Sequence, residues 1–448
     1  MRPERRTPAW GAAAAAVPLL LAAALGQGPG PASPAPGPQS PYYFQGQSTW
    51  IDQGHPAFNS PYEGPNSFTP AAENQRTFSF SLFLGYQPLP GTEFYYDPEV
   101  FQGHALSDTL GMAGFPNGEG SKAAFPNLHY NTSRLFVREV IGLGGGRQKV
   151  DEDANQIATS YDADRLTLTL GKLAASDLFD NNAYSHDARS QFLNWALIDS
   201  AAWDYPADVV GYTAGFAAQW TTRDWTLGYG IFMEPTVSNG PRLDTHVLEA
   251  HGQVLELDRG YSAGSLTGTV RPFVYWNEAR MGNYKDALEE PGIADALFET
   301  RAYRSKVGLG VSWDQQLTEH LGAFARMSWD DGRAESFAFT EVDRSVALGL
   351  SADLGRLGRK NDVFGVAVAV NGIVGAHQAY LAAGGTQGLI LGDGGLSYSP
   401  EQVIETYYSF QPVKWLSVSP DFQEAWNPGY NRDRGPVAIY AVRVHTSF

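Results

Sequence analysis

The last twelve residues, Val437-Ala-Ile-Tyr-Ala-Val-Arg-Val-His-Thr-Ser-Phe448, constrain the fold more than any other segment. Taken in steps of two, one face carries Ala438, Tyr440, Val442, Val444, Thr446 and Phe448; the other carries Ala441, Arg443, His445 and Ser447. Successive side chains of a strand point to opposite faces, so this period predicts a strand with one apolar and one polar face. An amphipathic edge strand of a soluble β-protein has this form. So does a strand of a transmembrane barrel, where the apolar face meets lipid and the polar face a lumen.

Other segments repeat the pattern. Arg165 to Gly171 sets Leu166, Leu168 and Leu170 on one face, and Lys306 to Trp313 sets Val307, Leu309, Val311 and Trp313 against Lys306, Gly308, Gly310 and Ser312. Leu321 to Asp330 opposes Leu321, Ala323, Ala325, Met327 and Trp329 to Phe324, Arg326, Ser328 and Asp330. The same reading predicts strands near 42–51, 76–86, 93–101, 133–143, 165–172, 210–220, 224–233, 246–257, 264–277, 304–313, 321–330, 343–354, 363–371, 396–410, 413–424 and 436–448. The gaps between them alternate short and long along most of the chain, as periplasmic turns and extracellular loops of an outer-membrane barrel do. A soluble sandwich has no reason for that alternation. The exception is 144–164, which should be a short turn and is not. The expected fold is all-β: a transmembrane antiparallel β-barrel of about 16 strands, with inward-folded extracellular loops and both chain ends on the periplasmic side. Trp276, Trp313, Trp329, Tyr408, Phe410, Trp415 and Phe448 near strand ends fit interfacial girdles. Outer-membrane lipid is then a partner. So is the barrel-insertion machinery, which reads a closing strand that ends in Phe.

The amino-terminal end agrees with export. Arg2, Arg5 and Arg6 precede an Ala/Leu-rich run from Ala12 to Leu25, and Ala24-Leu25-Gly26 suits cleavage, so 1–26 reads as a signal peptide. Residues 27–41, rich in Gly, Pro, Ala and Ser, read as a flexible extension, and 42–448 as the barrel. The chain has no cysteine, so no disulfide supports it. A formal net charge of -17 disfavours nucleic acid as a partner and an anion-selective basic pore.

The segment Gly171-Lys-Leu-Ala-Ala-Ser-Asp-Leu-Phe-Asp-Asn-Asn-Ala-Tyr-Ser-His-Asp-Ala-Arg-Ser-Gln-Phe-Leu-Asn-Trp-Ala-Leu-Ile-Asp-Ser-Ala-Ala-Trp-Asp-Tyr-Pro206 resembles the central segment of the carbohydrate-selective outer-membrane porins. Phe58-Asn-Ser-Pro-Tyr-Glu-Gly-Pro-Asn-Ser67 and Ala113-Gly-Phe-Pro-Asn-Gly-Glu119 are similar to that family too. The resemblance runs from about Gln45 to Phe448 and is strongest before Arg301. It implies a sixteen-stranded barrel whose loops narrow a lumen that admits small sugars.

Diffusion through a pore needs no reaction and no cofactor. It needs a polar lumen, a constriction and weak binding. Sugar hydroxyls pair with Arg and carboxylates, and sugar C–H faces stack on aromatic rings. With apolar faces set outward, parity points Arg443, His445, Ser417, Ser419, Asp421, Glu405, Tyr407, Arg326, Asp330, Arg271, Phe273 and Tyr275 inward. Arg134 and Arg138 point inward as well, at the cost of turning Glu139 outward. Within 173–209, Phe192 to Ile198 suits a short helix, and Asn194, Trp195, Asp199 and Trp203 are the candidates nearest the narrow point. The oxygen-rich run Asp177, Asp180, Asn181, Asn182 and Asp187 lacks the spacing of a Ca²⁺ loop, so it reads as solvated loop, with no metal site. Two other functions are open. A general, weakly cation-preferring porin fits the acidic balance. A secreted β-rich carbohydrate-active enzyme would need paired carboxylates, for which Asp330 with Asp331, or Glu289 with Glu290, would have to serve.

Overall fold

The computed structural model describes residues 40–121 and 125–448. The signal-peptide reading, and all of the proposed extension except 40–41, fall outside them. Sixteen strands close into one antiparallel barrel in chain order, with β1 paired to β16. They are β1 (Tyr42–His55), β2 (Glu73–Leu89), β3 (Thr92–Gly103), β4 (Phe125–Val150), β5 (Thr159–Leu173), β6 (Thr213–Thr221), β7 (Trp225–Met233) and β8 (His251–Ala263), followed by β9 (Leu266–Met281), β10 (Ala302–Thr318), β11 (Leu321–Asp330), β12 (Arg344–Leu354), β13 (Arg359–Gly372), β14 (Glu401–Val413), β15 (Leu416–Trp426) and β16 (Val437–Ser447). At the closure, Phe448 and Gly46 exchange backbone hydrogen bonds of 2.8 and 2.9 Å. A closed barrel leaves no unpaired strand edge, which lipid could not satisfy.

The connections alternate in length throughout. Residues 90–91, 151–158, 222–224, 264–265, 319–320, 355–358 and 414–415 join strands at one end. At the other end run L1 (56–72), L2 (described over 104–121), L3 (174–212), L4 (234–250), L5 (282–301), L6 (331–343), L7 (373–400) and L8 (427–436). Among the described residues, three short α-helices interrupt the loops: α1 (Trp195–Ile198) in L3, α2 (Tyr284–Glu289) in L5 and α3 (Gly375–Ala382) in L7.

Several boundaries differ from the sequence reading, for local reasons. Residues 210–212 are not part of β6, because the Asp208 side chain accepts the backbone N–H groups of Val210 and Tyr212 and bends the chain. Residues 246–250 belong to L4, where Asp244 caps His246 in the same way. Residues 396–400 lie in L7, where Tyr398 forms an isolated bridge with Asn431 of L8 instead of joining β14. The gap at 144–164 shrinks to 151–158 because β4 and β5 both run on past the neighbouring turn.

Side-chain parity holds around the barrel. Met327, Trp329, Leu170, Val274, Tyr440, Val442 and Phe448 are exposed on the outer face. Arg326, Phe273, Tyr275, Glu405, Tyr407 and Arg443 are buried on the inner face. Glu139 does point outward, opposite Thr92 at the start of β3, whose hydroxyl donates to its carboxylate at 2.7 Å. That rim position lets it keep water. Inward aromatic rings lie flat along the wall over glycines of the next strand. Tyr275 covers Gly308, where an added Cβ would collide with the ring. The wall is thereby kept thin, and room is left inside for loops.

Candidate functional site in the barrel lumen

L3 enters the barrel and crosses it, and its core is apolar. Phe192, Leu193, Trp195, Leu197, Ala201 and Trp203 are all buried. Phe192 meets the Tyr407 ring edge-on at 5.0 Å between centroids, and Trp195 stacks on Phe339 of L6 at 5.6 Å. Asn194 caps α1 by accepting the N–H of Ala196 at 3.0 Å. Its amide also donates to the Gly114 carbonyl of L2 and to Gln423 of β15.

A loop inside a barrel brings backbone polar groups that need partners. The inner wall supplies them with charged side chains. The Glu405 carboxylate accepts the N–H groups of Leu193 (2.5 Å) and Asn194 (2.9 Å). The Arg443 guanidinium donates to the carbonyls of Ala188 (2.6 Å) and Gln191 (2.7 Å). Across the lumen, Arg326 donates to the Leu197 carbonyl at 2.7 Å and pairs with Asp180 at 3.3 Å. The Tyr275 hydroxyl donates to Ala202 at 2.7 Å. Lys306 pairs with Asp204 of L3 at 3.0 Å, and Asp204 in turn accepts the N–H groups of Phe337 and Ala338 of L6. Glu401 gathers the N–H groups of Ala113, Gly114 and Gly429, which joins L2 and L8 to the same wall. L3 is thus fixed at both sides of the lumen by charges whose countercharges and dipoles are loop groups.

Asn194, Trp195, Asp199, Trp203, Tyr275, Arg326, Glu405, Tyr407, Asp421 and Arg443 all fall in this buried set. The sequence reading put them at the solute; the structure puts them under or within the loop. Parity alone says inward, and it does not say what covers the inner face. Asp330, the candidate enzyme carboxylate, is likewise buried and lies 3.8 Å from Lys306. Of the oxygen-rich run, Asp177 is taken by Arg134, Asp180 by Arg326, and Asn182 donates to Ser312.

The remaining candidates keep some contact with water. Arg134 makes a two-pronged pair with Asp177 (2.7 and 2.5 Å) and lies 5.4 Å from the Tyr212 ring centre. Arg138 pairs with Glu93 at 3.3 Å. Arg271 pairs with Asp314. Sequence reasoning did not find a second centre beside Arg134. Arg189 of L3 bridges Glu119 of L2 (2.7 Å) and Glu99 of β3 (2.9 Å), and the Tyr212 hydroxyl donates to Glu99 at 2.8 Å. Arg189 is 16% exposed and Glu119 12%, whereas Arg443 is 1% exposed. Asp187 and Ser190, on either side, are exposed. The backbone of 188–191 is held against the inner wall by Arg443. Water reaching these side chains is therefore lumen water. Parity on β3 would have found Glu99, two residues from Asp97; Arg189 and Glu119 sit in loops with no period to reveal them.

A closed sixteen-strand barrel with an apolar exterior, and with loops held inside so that paired charges border the opening, defines a porin of the bacterial outer membrane. The chain belongs to the carbohydrate-selective porin, OprB family, whose model matches residues 66–448. No curated protein matches the chain. Among solved structures it is similar to the high-pH form of Pseudomonas putida OprB, with TM-score 0.68 and 17% identity over 91% of this chain and 94% of that one. It is also similar to the outer-membrane channel DcaP of Acinetobacter baumannii, with TM-score 0.51 and 11% identity over 91% and 97%. At these identities the structural likeness speaks for the barrel, and the family assignment rests on the sequence model.

Proposed function

We propose that the pore passes mono- and small oligosaccharides by passive diffusion along the β3–β6 side of the lumen, past Arg134–Asp177 and the Arg189–Glu119–Glu99 bridge. The observation that carries this reading is that both charge signs, in the pairs Arg134–Asp177 and Arg189–Glu119, stay partly exposed near Tyr212. Neighbouring guanidinium and carboxylate groups offer donors and acceptors to a neutral polyol without the one-sign field of an ion filter. A sugar hydroxyl must compete with an existing ion pair, which keeps binding weak enough for release. We assign the chain no catalytic role. Residues 1–26 act as the signal peptide, and Phe448 with its strand presents the barrel to lipid and to the insertion machinery.

Planar-bilayer recording tests the reading. Glucose and maltose should lower the ion current in a dose-dependent way, and Arg189→Ala should weaken that block. If both sugars leave the current unchanged while cation selectivity is strong, the chain is the general, cation-preferring porin that its acidic balance also permits.

A further inference from the structure

The β4–β5 connection is the one that breaks the expected pattern, and it does more than overshoot the rim. Thr92 and Gly91 mark the rim, where Thr92 faces Glu139 and the Val140 N–H reaches the Gly91 carbonyl. Beyond it the β4–β5 register shifts at Gly142/Gly144 and again at Gly144/Arg147. Gly144, Gly145 and Gly146 have φ of 100°, 77° and 89°. Three successive residues at these angles favour glycine, and they bend the hairpin back on itself.

The tip then enters the mouth of the barrel instead of standing in the periplasm. Four inward-facing wall residues hold it. The Tyr43 hydroxyl of β1 donates to the Asp153 carbonyl at 2.6 Å. Arg138 of β4 donates to the Asn155 carbonyl at 2.9 Å, and the Asn155 amide donates to Asp97 of β3 at 2.7 Å. The Ile157 N–H donates to the Tyr95 hydroxyl at 3.3 Å, and the Ile157 side chain is buried. Asp97 lies five residues inside Thr92, which is roughly 17 Å of strand at the usual rise. Asp151, Glu152 and Asp153 are exposed at the tip; Asp151 pairs with Lys149 and Glu152 accepts from Gln45 of β1, which leaves the tip with a net negative charge.

We propose that this hairpin forms a second constriction of the pore at the periplasmic mouth, in series with the one that L3 sets, and that its acidic tip favours cations over anions. Fixed hydrogen bonds to three strands hold it there, so it narrows the mouth at rest. Resistances in series add, so the hairpin and L3 limit the current independently. The inference needs only that the barrel conducts ions; it holds whether or not sugars bind near Arg189.

The test replaces 144–163 with Asn-Gly, which joins Leu143 to Asp164 through a two-residue turn. Heat-modifiable migration verifies that the barrel has formed. Single-channel conductance in KCl should rise by about 1.5-fold or more, and the reversal potential in a salt gradient should shift away from cation preference. Maltose block should stay as in the parent, which separates this proposal from the sugar reading. A folded variant with unchanged conductance overturns the proposal. A second variant, Asp151→Asn with Glu152→Gln and Asp153→Asn, keeps the hairpin and removes only its charge. Its reversal potential should shift the same way; if it does not move, the tip lies outside the ion path and the proposal fails.

Discussion

The two sides of the lumen use the same residue types to opposite ends. Along β9–β16 the inward charges Lys306, Arg326, Glu405 and Arg443 are buried, and their polar atoms hold L3. Along β3–β6 and the loop faces against it, Arg134 pairs with Asp177 and Arg189 with Glu119 and Glu99, and Arg134, Arg189 and Glu119 still meet water. Parity turns Arg134 inward as it does the four anchors; Arg189 and Glu119 come from loops. The difference is the loop. Where L3 covers a wall charge completely, the charge is an anchor; where the L3 pairs Arg134–Asp177 and Arg189–Glu119 stay partly exposed, they border the path.

The largest expected effect comes from breaking an anchor. Glu405→Ala leaves the N–H groups of Leu193 and Asn194 without their acceptor, and Arg326→Ala leaves Asp180 buried without its cation. Removing one partner of a buried charged set costs about 3–5 kcal/mol. L3 should detach, conductance should rise, and protease should cut within 174–212 in the folded barrel. If Glu405→Ala leaves conductance and protection as they were, the anchor assignment is wrong.

Next in size is the open side. Arg189→Ala removes one tie of L3, to Glu99 and Glu119, but Glu405, Arg443 and Arg326 still hold the loop, so the barrel and its conductance should persist. Loss of one such bond to a sugar is worth about 1.5 kcal/mol or more, roughly tenfold in affinity. Current-block titration with maltose reads it directly.

A smaller effect separates the extracellular lid from both sides. His377 in α3 stacks on Tyr284 of α2 at 4.1 Å, between Glu341 (3.2 Å) and Asp343 (3.3 Å). Burial alone would push its pKa down; the Asp343 and Glu341 carboxylates outweigh burial and hold it up at about 9. A histidine raised in the folded state contributes stability that is complete below the ordinary 6.5 and is lost as pH rises through about 9. Hydrogen exchange in 375–391 should therefore speed up above pH 9, while exchange around Leu193 and Asn194, held by Glu405, changes less. The smallest effect is a control on parity. Glu139→Gln, at the outer rim, should change stability by less than about 1 kcal/mol and leave conductance alone.

Most of the barrel was legible in the sequence. Lipid outside and water inside force a strict period of two, and connection length reports which end of the barrel a turn occupies. Arg443 and Glu405 could therefore be placed inward from residue order alone. Their duty could not, because it depends on L3, whose path follows no period. The bent hairpin at 144–163 showed itself only as a gap of the wrong length. Its three glycines were visible, but the wall contacts of Asn155 and Ile157 join residues distant in sequence.

The chain has no cysteine, which gives a direct test of the covered and open sides. Ser190 is exposed on the lumen face of L3, and Ser419 of β15 points inward but is 1% exposed. Ser190→Cys and Ser419→Cys are nearly isosteric changes, and a charged, water-soluble thiol reagent can be added during single-channel recording. The current should change stepwise with cysteine at position 190 and not at all with cysteine at position 419. Equal modification of both, or modification of 419 alone, would contradict a lumen divided by L3 into an anchored side and an open one.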